Sequence, residues 1–139
     1  MSLQPIEDAL LERLDALSHG LSVAHQGVEY APASAVPYIR PEFVPGSPAP
    51  AQEIGQSAPV RENGFIRFTV LYPIVDGPGP LKQKVADLTA HFHWRQDLTS
   101  GQTVVRLRQV TQGSLISEAG WNSIAITVFW NAIRPGDAT

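Results

Sequence analysis

Residues 64–92 constrain the fold more than any other stretch of this chain, because a strand pattern gives way there to a helix pattern across one turn. The first part alternates, so that one face of the predicted strand carries Ile66, Phe68, Val70 and Tyr72. The opposite face carries Phe65, Arg67, Thr69 and Leu71. Since both faces are partly apolar, we expect a central strand that is covered on both sides.

Pro73 ends this strand, and a DGPGP turn follows at residues 76–80. Pro80 is suited to open a helix, since its missing N–H is one that the first helical turn leaves unpaired. The next apolar residues recur at intervals of four, three and four, the spacing of one helical face: Leu81, Val85, Leu88 and Phe92. The whole stretch therefore predicts a strand, a turn and an amphipathic helix.

Another helix is predicted over residues 3–18, where one stripe collects Ile6, Leu10, Leu14 and Leu17. His19 and Gly20 supply its C-terminal stop. Short extended runs are predicted within residues 21–30 and 36–44, and Pro41 marks the second as an edge or bulged strand.

Two more alternating runs lie towards the C-terminus. In residues 103–110, Val105 and Leu107 oppose Arg106 and Arg108. In residues 121–133, the expected core face carries Ile124, Ile126, Val128 and Trp130. The order of elements predicts an α+β fold with a mixed or antiparallel sheet of about four to six strands, backed by two helices. We expect one domain over residues 1–139.

Residues 45–60 predict a long, exposed and mobile loop or an open hairpin arm, because they are rich in Pro, Ser, Gly and Ala. A loop of this length is usually functional or disordered. With no catalytic residue in it, the economical interpretation is that it folds against a neighbouring subunit, with Pro45, Ile54 and Pro59 as candidate contacts. Residues 134–139 are expected to form a flexible tail.

Composition excludes several classes of function. The net charge is −3 and the basic residues are scattered, so direct nucleic-acid binding is not expected. With no cysteine, the chain has no disulfide, no thiolate catalyst and no cysteine-ligated zinc. Residues 1–17 lack the pattern of a signal peptide or anchor, and no apolar run is long enough to span a membrane.

Candidate catalytic and metal sites are weak. His91 and His93 form an H-x-H pair, but two residues apart on a helix they point in different directions, so helix-end histidines are favoured over metal ligands. Asp76, Asp97 and Glu118 fall in loop-like segments, where carboxylates are normally solvated. The DGPGP turn lacks the Gly-Lys-Ser/Thr ending of a phosphate loop. We expect no enzyme, no cofactor and no metal.

The candidate interaction residues lie on the strand face that is opposite the predicted core. They are Phe65, Arg67, Leu71, Arg106 and Arg108. An ordinary solvated face is one interpretation of the three arginines. A subunit or tube interface is the other, and Phe65 and Leu71 favour it, because apolar residues on an exposed face need a cover.

The chain resembles the small tail-terminator-like proteins of long-tailed bacteriophages. The resemblance rests on an opening IEDALLERLDAL helix, a VPYIRPEFVP strand, the strand at residues 61–73, the KQKVADLTAHF helix and a closing GWNSIAITVFWNA strand. It covers nearly the whole chain, through patterns of helix and strand and not through a catalytic signature.

This resemblance implies a non-enzymatic α+β subunit that assembles into a ring, typically a hexamer. The ring would cap the head-proximal end of the tail tube, stop polymerisation of the tube protein and offer a surface to the head connector. The protein would then be found in the virion tail, and in the host cytoplasm during assembly. Two alternatives stay open, which are a head–tail joining or neck protein and, less favoured, a small-ligand-binding domain.

Overall fold

A computed structural model describes residues 4–17, 20–25, 27, 36–46, 49–50, 60–92, 97–100 and 103–134. Their elements in chain order are α1 (Gln4–Ala16), β1 (Ser22–Val23), β2 (Tyr38–Pro45), β3 (Ala49–Pro50), β4 (Val60–Pro73), a 3-10 turn (Ile74–Asp76), α2 (Pro78–His91), β5 (Asp97–Ser100), β6 (Thr103–Gln112), β7 (Ile116–Glu118) and β8 (Trp121–Arg134). The predicted α+β class is confirmed.

The strands form one mixed sheet in the order β1-β2-β4-β8-β6-β5, while β3 extends it beside β4 and β7 beside β8. Only the β1–β2 pair is parallel among the described strands. Strands β4 and β8 each contain 14 residues and pair over their full length, from Val60 opposite Arg134 to Pro73 opposite Trp121. The prediction of a central strand at residues 65–72 is therefore confirmed, and the strand is longer than its alternation indicated.

The hydrophobic core lies between the two helices and one face of the sheet, which we call the inner face. The helices contribute Ile6, Leu10, Leu14, Leu81, Val85 and Leu88, all buried. The sheet contributes Ile66, Phe68, Val70, Val105, Leu107, Ile124, Ile126, Val128 and Trp130. Each of these had been placed on a core face by its helical or alternating spacing.

The ends of α1 and α2 are joined by reciprocal hydrogen bonds. Arg13 Nη2 donates to the His91 carbonyl at 2.9 Å, and His91 Nε2 donates to the Arg13 carbonyl. His91 therefore lies at a helix end, as its sequence position indicated, and joins the two helices there. His93 and His19 lie outside the described residues.

The connection between β4 and α2 differs from the predicted turn. Residues 74–76 form a 3-10 turn, and α2 already begins at Pro78, with Gly77 as the N-cap and Pro80 inside the first turn. Both prolines are tolerated because the first N–H groups of a helix have no intrahelical acceptor. The prediction that Pro80 opens the helix was wrong by two residues.

The segments that contain Asp97 and Glu118 are loop-like by sequence, whereas the structure has strands β5 and β7 there. Asp97 opens β5 and Glu118 closes β7, so these carboxylates belong to strands. The turn between β7 and β8 is formed by Ala119 and Gly120, whose φ angles are 52° and 85°. Two consecutive positive φ angles make the tight hairpin turn that usually contains Asn-Gly, and the alanine concealed it.

Part of the predicted loop at residues 45–60 is outside the described residues, including Ile54 and Pro59. Within it, Pro45 ends β2, and β3 pairs with β4 through Ala49 opposite Arg61. The predicted tail lies outside the described residues from position 135 onward. No helix among the described parts of the chain is long and apolar enough to cross a membrane.

Candidate interaction surface

The face of the sheet that points away from both helices, called here the outer face, carries the sequence-predicted interaction residues of β4. Phe65, Arg67 and Leu71 alternate with the buried residues of the same strand and are each half-buried. The register of β2, β4 and β8 decides which side chains accompany them, because residues directly opposite in an antiparallel pair point to the same side.

Phe65 lies at the centre of an apolar row that crosses three strands. Val44 is opposite it on β2 and Phe129 is opposite it on β8. The two phenylalanine rings are 5.8 Å apart between centroids and tilted by 54°, and Phe129 is 36% exposed. We call Val44, Phe65 and Phe129 the aromatic row; it is an apolar part of the outer face near the middle of β4 and β8.

Arg67 lies along the border of the aromatic row. Its Cζ is 5.4 Å from the centroid of the Phe65 ring, and its Nη1 is 4.0 Å from Glu42 Oε1 on β2. Both side chains of this ion pair are about half exposed, so the pair contributes little to stability. The guanidinium is therefore held over an aromatic ring while part of it still faces solvent.

Leu71 lies towards the C-terminal end of β4, six residues or about 20 Å from Phe65. It is opposite Tyr38 on β2 and Ser123 on β8. The Tyr38 ring meets Trp121 edge-on at 5.1 Å, and Arg40 Cζ lies 5.7 Å from the Tyr38 centroid. Leu71 thus belongs to a second group, apart from Phe65 and Arg67.

Arg106 and Arg108 do not lie beside Arg67 on the sheet. Arg106 is opposite Asn131 of β8 whereas Arg67 is opposite Thr127, on the other side of that strand, so the two are about 13 Å apart along it. Arg108 is the extra residue of a β-bulge, since Leu107 is opposite Trp130 and Gln109 is opposite Phe129. The alternation of β6 could not reveal this bulge.

Arg106 has a partner that the sequence did not indicate. Its Nε donates to Asp97 Oδ1 at 2.9 Å and its Nη2 to Asp97 Oδ2 at 3.3 Å. This hydrogen bonding, together with the positive charge, lowers the pKa of Asp97 below its ordinary value and raises the pKa of Arg106. Arg106 is thus paired within its own sheet.

A different apolar surface lies at the far end of β4 and was missed from the sequence. Ile74 and Val75 of the 3-10 turn are 47% and 83% exposed. The sequence contained a signal for this surface, because two apolar residues lie between a strand-ending proline and a Gly/Pro turn. Phe129 was missed as well, although it is out of phase with the core residues of β8.

The structure does not bring the three candidate carboxylates together. Asp97 pairs with Arg106 near one end of the sheet, and Asp76 and Glu118 lie near the other. No group of three or more His, Asp or Glu residues in the described part could hold a metal ion.

The pKa of Tyr72 is raised by burial, and then by the charges of Asp76 and Asp87.

Comparison with known proteins identifies a family and a similar solved structure. A family model described as "Phage tail terminator protein" matches residues 5–130. One solved structure is 25% identical in sequence to this chain and superposes on it with a TM-score of 0.76, over 95% of this chain and 96% of the other. No curated protein matches the sequence. The resemblance deduced from the sequence is confirmed by the family match.

Proposed function

Because this chain belongs to the phage tail terminator family, we propose that it is a structural subunit forming a ring at the head-proximal end of a phage tail tube. In that position the ring stops polymerisation of the tube protein and presents a surface to the head connector. This function depends on assembly and requires no catalytic group. The observation that carries the proposal is the family match over residues 5–130.

The outer face supports an assembly function. Helices cover the inner face, whereas the outer face keeps two neighbouring phenylalanines and Arg67 in partial contact with solvent. Aromatic residues and arginine are enriched in the centres of protein interfaces. We assign Phe65, Arg67 and Phe129 to a contact with either the next subunit or the tube, and six copies to the ring, as the resemblance implies.

Polymerising tail tubes test this function. Tube protein would be assembled with and without the terminator, and tube lengths and ends compared by negative-stain electron microscopy. We expect tubes that stop growing and carry extra density at one end. Tubes of unchanged length with bare ends would contradict the proposal.

Variants of the outer face make the test specific. Phe129→Ser removes an exposed ring and Arg67→Glu reverses a charge on the border of the aromatic row, and both are expected to reduce capping. Glu12→Ser, on the exposed side of α1, is the control and should cap as the wild type does. Thermal unfolding of all three variants separates loss of capping from loss of fold.

The same experiment distinguishes a head–tail joining function. If the protein binds the purified head connector and leaves tube length and tube ends unchanged, it is a joining protein. Capping together with connector binding supports the terminator function, since a terminator meets both partners.

A further inference from the structure

Two separate apolar surfaces are partly or largely exposed in the described residues, one near the middle of β4 and one directly after its C-terminal end. One is the aromatic row of Val44, Phe65 and Phe129 on the outer face. The other is formed by Ile74 and Val75, which we call the apolar projection. Ile74 comes nine positions after Phe65, which over mostly extended chain is a distance of about 30 Å. The two are therefore distinct surfaces.

The apolar projection is held rigidly. The Ile74 N–H donates to the Gly120 carbonyl at 3.0 Å, and the Gly77 N–H donates to the Ile74 carbonyl at 2.9 Å. The turn is thus tied to the β7–β8 hairpin on one side and closed by the start of α2 on the other. A preorganised apolar group loses little conformational entropy when it binds.

The charges beside the two surfaces are opposite in sign. Asp76 is exposed in the turn itself, and Glu118 is exposed in the hairpin to which Ile74 is hydrogen-bonded. Asp87 adds a further carboxylate on α2, so carboxylates outnumber the nearby side chains of Lys82 and Lys84.

Around the aromatic row the balance is reversed. Arg67 lies over Phe65, and Arg108 is exposed in the bulge next to the residue that faces Phe129. Glu42 opposes them at 4.0 Å from Arg67, and further along the face Arg106 and Asp97 pair with each other. Complementary charge at the rim steers two surfaces together and sets their register.

We infer that this chain associates with itself head to tail, with the Ile74–Val75 projection of one copy packing on the Phe65–Phe129 row of the next. Such a contact joins two different surfaces, so a growing chain of copies always has one free surface of each kind, and association continues until a ring closes. The choice of a second copy as the occupant rests on the proposed ring function.

Cysteine cross-linking tests the contact, and the chain has no cysteine of its own to interfere. Val75→Cys and Phe129→Cys would be prepared as separate variants and treated with a short bis-maleimide, with and without tail tubes. We expect the equal mixture to give a cross-linked dimer and neither variant to do so alone. Cross-linking of Phe129→Cys with itself, or no cross-linking in either condition, would overturn the inference.

Charge variants supply an independent measurement by analytical ultracentrifugation and by capping of tubes. Val75→Glu and Phe129→Glu should each weaken self-association by about tenfold or more. Their mixture retains one intact contact and should stop at a dimer. Val104→Glu is the matched control, because Val104 is 40% exposed on the outer face away from the row.

The two proposals fail in different ways. If head-to-tail cross-linking occurs while wild-type protein leaves tube length uncontrolled, the terminator function is wrong and the contact stands. If Val75→Glu and Phe129→Glu both cap tubes as well as the wild type does, the contact is wrong and the terminator function stands.

Discussion

The indole of Trp130 packs directly on the backbone of Gly64, so closely that a Cβ built on Gly64 would lie 2.8 Å from Trp130 Cζ2. The same Cβ would lie 2.5 Å from the Val44 carbonyl oxygen. Phe43 stacks on the indole, with ring centroids 5.5 Å apart and planes inclined by 2°. Because glycine has no side chain, position 64 leaves room for Trp130, the largest fully buried residue, to pack against β4.

Gly64→Ala should destabilise the protein. The new methyl group would meet backbone and a fully buried ring, neither of which can move away freely, so we expect a loss of about 1–3 kcal/mol in the free energy of unfolding. Urea denaturation measures it. Gly79→Ala is the control, because a Cβ there meets nothing within 4 Å, and it should be neutral or stabilising by up to about 1 kcal/mol. Equal effects of the two substitutions would contradict the packing described.

His91→Ala should loosen the junction of α1 and α2. It removes the hydrogen bond from the imidazole to the Arg13 carbonyl and the edge contact with Phe92, at a cost of about 1–2 kcal/mol. His91→Gln keeps an N–H donor and should lose less. Denaturant unfolding compares the two variants, and the interpretation would be wrong if glutamine were as harmful as alanine.

Arg106→Gln should raise the pKa of Asp97 back to its ordinary value. Hydrogen bonding by Arg106 now lowers that pKa, so the pair stabilises the fold above the unfolded-state pKa, and this stability is lost as pH falls through the folded-state value. The carboxyl titration can be followed by NMR, and added salt should also raise the pKa. Arg108→Gln, at the bulge, should change it much less.

Tyr72→Phe should make the free energy of unfolding fall less steeply as pH rises into the alkaline range. The raised pKa means that the folded state favours the neutral phenol, so this stability is present below the unfolded-state pKa and is lost as pH rises through the folded-state value. Urea unfolding between neutral pH and about pH 11 should show the variant gaining on the wild type above about pH 10. If the free energy of unfolding of the variant and of the wild type changed with pH in parallel, the raised pKa of Tyr72 would be wrong.

Periodicity alone was sufficient to predict the long elements. Both helices, the central strand and the core faces of β6 and β8 followed from spacings of 3.6 and two residues, since burial against one surface imposes them locally. The short strands β5 and β7 have three or four residues each, too few to establish a period. Their existence depends on β6 and β8 offering an edge to pair with.

The candidate surface, too, could be predicted only in part from the sequence. From the sequence, Phe65, Arg67 and Leu71 could be placed together on one strand face, and arginines 106 and 108 could be expected nearby. Strand register then placed Phe129 beside Phe65 and a bulge at Arg108, and it separated Arg106 from Arg67. Register is set by contacts between distant parts of the chain, which a local pattern does not contain.

The amino-acid sequence by itself determined the fold class and which side of each long element is buried. Hydrophobic spacing expresses those directly, because one face of every long element must leave water. Tertiary structure alone decided that Trp130 rests on Gly64, that Phe129 joins Phe65, and that Ile74 and Val75 are held outward by Gly120. Each of these depends on how two strands far apart in sequence align, and that alignment is decided only when the whole sheet packs.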